Sequence, residues 1–297
     1  MMKQYPVHTI QSATNETIAY RQCGSKGPVI LLVHGNMSSS VHWQVAMEQL
    51  EDSYQVYALD LPGFGDSTYN RQLESLHDFS RDVTSFVEKL DLQKVHVLGW
   101  STGGGIVLES AADIPERYEK IFLLDSVGIK GYPMYKKDES FQPILTERIY
   151  TREEIAKDPI QVAPILNAYA TGNKDFMRAV WNAAIYNLKQ PSEEDYEIYL
   201  DAIFKQRNLV DVDVALTTFN MSHEHNGVVE GTGRIDLVQS PIVVMHGIND
   251  LVVPLSDSTY LGDLLKDQAE LVVFENVGHS VLTDNLKLFI DTLIQRI

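Results

Sequence analysis

The chain has 297 residues, 44% of them apolar and 22% charged. That composition suits one large globular domain, or a domain carrying a sizeable insertion, and it excludes a small scaffold that needs disulfide staples. A formal net charge of −17 sets the chain against nucleic acid and anionic membrane surfaces, which such a charge repels at long range.

The N-terminal segment MMKQYPVHTIQ carries no long apolar run, so no leader peptide is expected there. No stretch reaches the roughly 18 apolar residues that cross a bilayer. The single cysteine, Cys23, excludes an internal disulfide and suits a reducing compartment, so a cytoplasmic protein is expected. A lone thiol of this kind reads as a small packing residue rather than a nucleophile.

The predicted elements alternate. Two short runs, Val7–Ile10 and Thr17–Arg21, flank the turn-like SATNE and predict a hairpin. PVILLVHG (Pro28–Gly35) is continuously apolar, as in a strand buried on both faces. A short helix is expected over Val41–Leu50, a buried strand over Gln55–Asp60, and a Pro/Gly loop after it. Leu76, Phe79, Val83, Phe86, Val87 and Leu90 recur at helical spacing. KVHVLG then reads as a strand, Thr102–Asp113 as a helix stopped before Pro115, and KIFLLD as another strand. Alternation at this spacing implies βαβ units and a mostly parallel central sheet flanked by helices, an α/β fold.

The pattern breaks after Asp125. From Val127 to about Val238 the spacing predicts helices over Thr151–Lys157, Asp175–Tyr186, Glu193–Phe204 and Val212–Phe219. PMYKKDE and HEHNGVVEGTG read as loops, and no buried strand is expected. Alternation resumes with PIVVMHG, a helix over Ser256–Lys266, the strand ELVVFE and a last helix over Val281–Gln295. A core of residues 1–126 and 238–297 would thus carry a helical insertion over 127–237.

The chemistry concentrates at strand ends, where open parallel sheets bind their ligands. Gly99-Trp100-Ser101-Thr102-Gly103 has the form G-x-S-x-G between a strand and a helix. That is the pattern of a nucleophile elbow, in which small neighbours let the chain turn sharply and expose the serine Oγ. A serine hydroxyl needs an adjacent base. Downstream, Asp250 follows one strand end and His279 the next, in the order serine, acid, histidine. Ser101, Asp250 and His279 are therefore the expected catalytic triad, with His279 as base and Asp250 as its orienting acid. Asp125, at the end of KIFLLD, is a second candidate acid. Two backbone N–H groups are needed for an oxyanion: Thr102 after the nucleophile, and Asn36 in the loop after the first buried strand, with Met37 its neighbour. His34 reads as a buttress of that loop. Met37 and Trp100 are candidate pocket residues.

With these motifs in place the chain resembles the α/β-hydrolase superfamily. The likeness is carried by HGN (34–36), DLPGFGDS (60–67), GWSTGG (99–104), HGINDLVVP (246–254) and NVGH (276–279), which together span the chain outside the insertion. The resemblance implies that the insertion is a cap, or lid, over the active site. HGNMSSSVHW looks like the corresponding loop of haloalkane dehalogenases, but those enzymes and epoxide hydrolases use a carboxylate nucleophile where this chain has Ser101. The serine elbow is similar to that of carboxylesterases, lactonases, C–C bond hydrolases and cofactor-free haloperoxidases. It departs from proline iminopeptidases, whose elbow carries Trp-Gly after the serine.

The insertion supplies large apolar side chains, Phe141, Leu145, Tyr150, Trp181, Phe204 and Phe219 among them. Most are expected in its own core, with a few facing Ser101 to make an apolar pocket. The expected substrate is a small or medium apolar carboxylic ester or lactone, cleaved through an acyl-enzyme without cofactor or metal. His223 and His225 flank Glu224, but offer no second ligand cluster. C–C hydrolysis of a vinylogous diketone is an alternative. So is a receptor-like protein that keeps the triad but turns over slowly. A monomer or homodimer is expected.

Overall fold

The computed structural model describes residues 1–297. The N-terminal hairpin pairs β1 (Val7–Gln11) with β2 (Thr17–Cys23), antiparallel. β3 (Val29–Val33) follows, then a turn of 3-10 helix over Ser40–Trp43 leading directly into α1 (Gln44–Leu50). β4 (Gln55–Leu59), α2 (Leu76–Lys89), β5 (Val95–Trp100), α3 (Thr102–Asp113) and β6 (Tyr118–Leu124) complete the first half. α2 begins at Ser75, whose hydroxyl accepts the Asp78 N–H, a capping arrangement that satisfies one of the free N–H groups of the first turn.

Between β6 and the next sheet strand lie a two-stranded hairpin, β7 (Tyr135–Lys137) and β8 (Pro143–Arg148), and five helices. These are α4 (Arg152–Ala156), α5 (Ala163–Thr171), α6 (Lys174–Ala184), α7 (Glu193–Ile203) and α8 (Leu209–Thr218). The PMYKKDE segment, expected to be a loop, contributes β7, and α5 was not among the predicted helices. The hairpin is mostly exposed, so it carries none of the apolar signal of a core strand. β9 (Ile242–Gly247), α9 (Leu255–Leu264) and β10 (Ala269–Phe274) return to the sheet. The expected last helix is two, α10 (Val281–Asp284) and α11 (Leu286–Ile294). Asn285 divides them, its side chain accepting the Leu288 N–H to start the second.

The eight-stranded sheet has the order β1-β2-β4-β3-β5-β6-β9-β10, parallel from β4 to β10. Side chains alternate faces along each strand. Ile30, Leu32, Leu98, Phe122 and Met245 therefore join one core with α1 and α11, while Leu31, Val33, Val97, Leu123 and Val244 join another with α2 and α3. Burial on both faces is what the continuous apolar runs require. The register pairs Val33 with Gly99, Gly99 with Leu123, and Leu124 with Met245. The residues just beyond β3, β5, β6, β9 and β10 consequently emerge along one rim.

Candidate active site

Ser101 stands between β5 and α3 with φ 55° and ψ −123°, a conformation that costs a non-glycine residue on the order of 1–3 kcal/mol. The surroundings hold it there. Its N–H donates to Leu124 O at 3.0 Å, and its carbonyl accepts the N–H groups of Gly104 at 3.0 Å and Val127 at 3.1 Å. The close approach leaves no room for side chains nearby: a Cβ on Gly99 would lie 2.3 Å from Gly103 O, and one on Gly103 2.5 Å from Val33 O. The glycines are thus steric requirements of the turn, as the sequence pattern implies.

His279 and Asp250 meet at this rim. Asp250 Oδ2 accepts from His279 Nδ1 at 2.7 Å, and Asp250 Oδ1 accepts the N–H groups of Val252 at 2.7 Å and Val253 at 3.0 Å. Burial alone pushes the Asp250 carboxyl upward, but the imidazole and the two N–H groups outweigh it and hold it below the ordinary carboxylate range. With Nδ1 committed to Asp250, the second imidazole nitrogen is left for the cavity that both His279 and Ser101 line. No hydrogen bond joins it to Ser101 Oγ in this arrangement; such contacts commonly tighten only around a substrate.

Asp125 lies close by but does another job. Its Oδ1 accepts the Gly247 N–H at 2.7 Å, and its buried Oδ2 has no partner. Burial, and then repulsion from Asp250, raise it well above the usual carboxylate range. His246 stands on the other side, with Nδ1 on Ser258 Oγ at 2.8 Å and Nε2 on Val253 O at 3.1 Å. Asp125, His246 and Asp250 approach one another within 4.8 Å, the spacing of a metal cluster. Both nitrogens of His246 are occupied, however, and so is Asp250 Oδ2.

The loop after β3 is braced as expected of His34. Its Nδ1 bonds Gly35 O at 2.8 Å and its Nε2 accepts the Leu61 N–H at 3.0 Å. Burial lowers its pKa to about 4, so it is a neutral strut. Asn36 and Met37 both line the cavity. The Met37 N–H is already taken by Asn36 Oδ1 at 2.9 Å and Gln206 Oε1 at 3.1 Å. The N–H groups of Asn36 and of Thr102, in the first turn of α3, meet no acceptor in the chain. Gln206 also donates to Asn36 Oδ1 at 2.8 Å. It therefore ties the loop to the segment between α7 and α8, a link no local pattern reveals.

The cavity has a volume of about 310 Å³ and runs between the sheet rim and the helices inserted after β6. Leu251 and Ile160, 65% and 47% exposed, mark its mouth. Two expectations about its walls are corrected. Trp100 does not line it: the indole is 3% exposed, packs at 6.2 Å from Trp43, and donates Nε1–H to His279 O at 2.8 Å. It braces the histidine loop from within the core. Nor do the large side chains singled out in the insertion reach the cavity. Trp181 and Phe219 are core, while Phe141, Leu145 and Tyr150 face solvent. Mid-sized residues such as Val180, Ile185, Leu209 and Leu216 form most of the wall instead, with Tyr132 the one aromatic ring of the insertion that reaches it.

Elsewhere, Cys23 is buried and its thiol is pushed up to about 12, far from a nucleophile. His223 pairs with Asp236 at 3.1 Å, and His225 accepts the Gly227 N–H at 2.9 Å.

A family model described as alpha/beta hydrolase fold matches residues 28–286. A 111-residue stretch is 32% identical to the dihydrolipoyllysine-residue acetyltransferase component of the acetoin cleaving system of Cupriavidus necator, covering 37% of this chain and only 30% of that one. Over 93% of this chain and 96% of the relative, it is 24% identical to a pimeloyl-[acyl-carrier protein] methyl ester esterase of Aliivibrio fischeri. It is 23% identical to a 2-hydroxy-6-oxononadienedioate/2-hydroxy-6-oxononatrienedioate hydrolase of Paraburkholderia phymatum, covering 97% and 93%. Among solved structures, an esterase from Exiguobacterium antarcticum superposes with a TM-score of 0.74 at 17% identity, covering 97% of this chain and 98% of that one.

Proposed function

The chain belongs to the alpha/beta hydrolase fold family, and from that premise we propose that it is a serine hydrolase cleaving small to medium carboxylic esters or lactones. The observation that carries this reading is the 2.7 Å His279–Asp250 pair whose imidazole lines the same cavity as Ser101. Ser101 Oγ attacks the substrate carbonyl as His279 takes its proton. The N–H groups of Asn36 and Thr102 receive the oxyanion, preorganised donors worth roughly 3 kcal/mol each. His279 then protonates the leaving alcohol, and water repeats the sequence on the acyl-enzyme. Residues 127–237 act as the cap that closes the cavity over the rim.

Two relatives of almost equal identity pull toward different bonds: one cleaves a methyl ester, the other a dienedioate. The walls favour the ester. No lysine or arginine lines the cavity, so a substrate carrying two carboxylates would be desolvated there without a counter-ion. The volume, at the small end of ligand sites, supports a short or medium acyl chain.

The test combines a fluorophosphonate probe with steady-state turnover of p-nitrophenyl esters of increasing chain length. Wild type labels and turns over the shorter esters best, and Ser101→Ala does neither. Highest efficiency on the longest chains would refute the size assignment. Strong labelling with negligible turnover would replace an enzyme by a ligand-capturing receptor.

A further inference from the structure

α8 presents Leu209, Asp213 and Leu216 to the cavity, positions spaced by four and three residues and so on one helix face. An apolar residue would complete that stripe. A carboxyl there is unfavourable both for the helix and for the apolar wall, and nothing structural recovers the cost. Its only hydrogen bond is a long one, 3.4 Å from Asn36 Nδ2. Asp211, two residues earlier, shows what a structural carboxylate looks like in this chain: it holds Arg152, the Tyr69 hydroxyl and, at 2.9 Å, the Leu73 N–H. Asp213 has no cation. Among the cavity-lining residues there is no lysine or arginine, and the one basic side chain is His279, already paired with Asp250. Burial, with the nearby Asp158, pushes the Asp213 carboxyl up to about 8, so alone it holds its proton near neutral pH and releases it when a cation stands beside it.

The position matters as much as the charge. Asn36 connects Asp213 to the loop that supplies an oxyanion donor. An unneutralised carboxylate so close would oppose negative charge developing on the substrate carbonyl oxygen. A hydroxyl on the substrate offers one hydrogen bond and leaves the charge in place. A protonated amine cancels it.

We propose that Asp213 is the receptor for a positively charged amine on the substrate, making the chain selective for ammonium-bearing esters. This deepens the ester-hydrolase reading and rests on it. The cation would sit between Asp213 and the apolar wall formed by Leu209 and Leu216, and its carbon stem would fill the rest of the cavity.

The test uses pairs in which an ammonium group is replaced by its carbon isostere. Dimethylaminoethyl acetate and isopentyl acetate probe the alcohol side; p-nitrophenyl ω-aminohexanoate and p-nitrophenyl heptanoate probe the acyl side. Near neutral pH, wild type prefers the ammonium member of at least one pair by about tenfold or more in kcat/KM, and Asp213→Asn, which keeps shape but not charge, abolishes that preference. A ratio of one or below in both pairs overturns the proposal, as does a preference that survives in Asp213→Asn. If wild type hydrolyses none of the four, the hydrolase reading falls instead. Calorimetric binding of the same pairs to Ser101→Ala then decides the charge preference by itself: tighter binding of the ammonium members supports it, equal or weaker binding overturns it.

Discussion

Two carboxyls lie side by side at the rim, and their partners assign them opposite states. Asp250 accepts from His279 and from two backbone N–H groups, which stabilise the anion. Asp125 accepts one N–H and has an unpartnered oxygen facing a neighbouring anion, which stabilises the acid. Asp250→Asn should therefore lower kcat by about 10⁴, because a carboxamide leaves the imidazole in the wrong tautomer, while Asp125→Asn changes it by less than about tenfold. Steady-state kcat on a p-nitrophenyl ester checks both, and the reverse ranking would make Asp125 the acid. The same contrast has a consequence for stability. The raised Asp125 keeps a proton in the folded chain that the unfolded chain releases above about pH 4, so its contribution to stability falls as pH rises from there toward the folded pKa. Urea midpoints measured between about pH 5 and pH 8 should decline less steeply in Asp125→Asn than in wild type; an equal or steeper decline would mean Asp125 is ionised in the folded chain. The three residues of the proposed triad were legible in the sequence because each follows a strand that delivers it to one rim. Asp213 and Gln206 were not, because what marks them is the company they keep across the fold.

At the level of elements, the strand–turn–helix around Ser101 depends on backbone approaching backbone. A Cβ on Gly103 would meet Val33 O at 2.5 Å and His34 O at 2.6 Å, and neither carbonyl can swing aside as a side chain would. Gly172, the left-handed residue ending α5, has φ 65° and nothing within 4 Å of a built Cβ. Gly103→Ala should thus cost about 3 kcal/mol or more through overpacking, and Gly172→Ala only the conformational penalty of about 1 kcal/mol. Urea denaturation separates the two, and similar costs would remove the steric account of the elbow. The elements that escaped the sequence reading share one property. β7 and β8 are short and exposed, α5 is apolar around much of its circumference, and Asn285 reads as an ordinary polar residue inside a helical period. None shows the one-sided apolar spacing on which such a reading relies. For α5, the stop and start marks were nonetheless present in Pro164 and Gly172.

Across the whole molecule, two sources of negative potential act on a substrate, and they respond differently to salt. The net charge of −17 is spread over the surface, where its reach is set by the Debye length, about 8 Å at physiological ionic strength. The carboxyl of Asp213, pushed up to about 8 by burial, becomes a second source only above that pH, and it lies inside a cavity walled mostly by apolar side chains, where ions do not screen it. At about pH 9, where both sources are charged, an ester bearing a remote carboxylate should therefore be disfavoured against its neutral isostere by about tenfold or more in kcat/KM at low salt. Raising the ionic strength should narrow that gap by speeding encounter of the anionic ester, but should not close it, because the residue inside the cavity continues to repel. In Asp213→Asn the remaining gap at high salt should shrink further. A gap that vanishes with salt alone would place the whole effect on the surface. One that ignores salt and narrows only with the substitution would place it in the cavity.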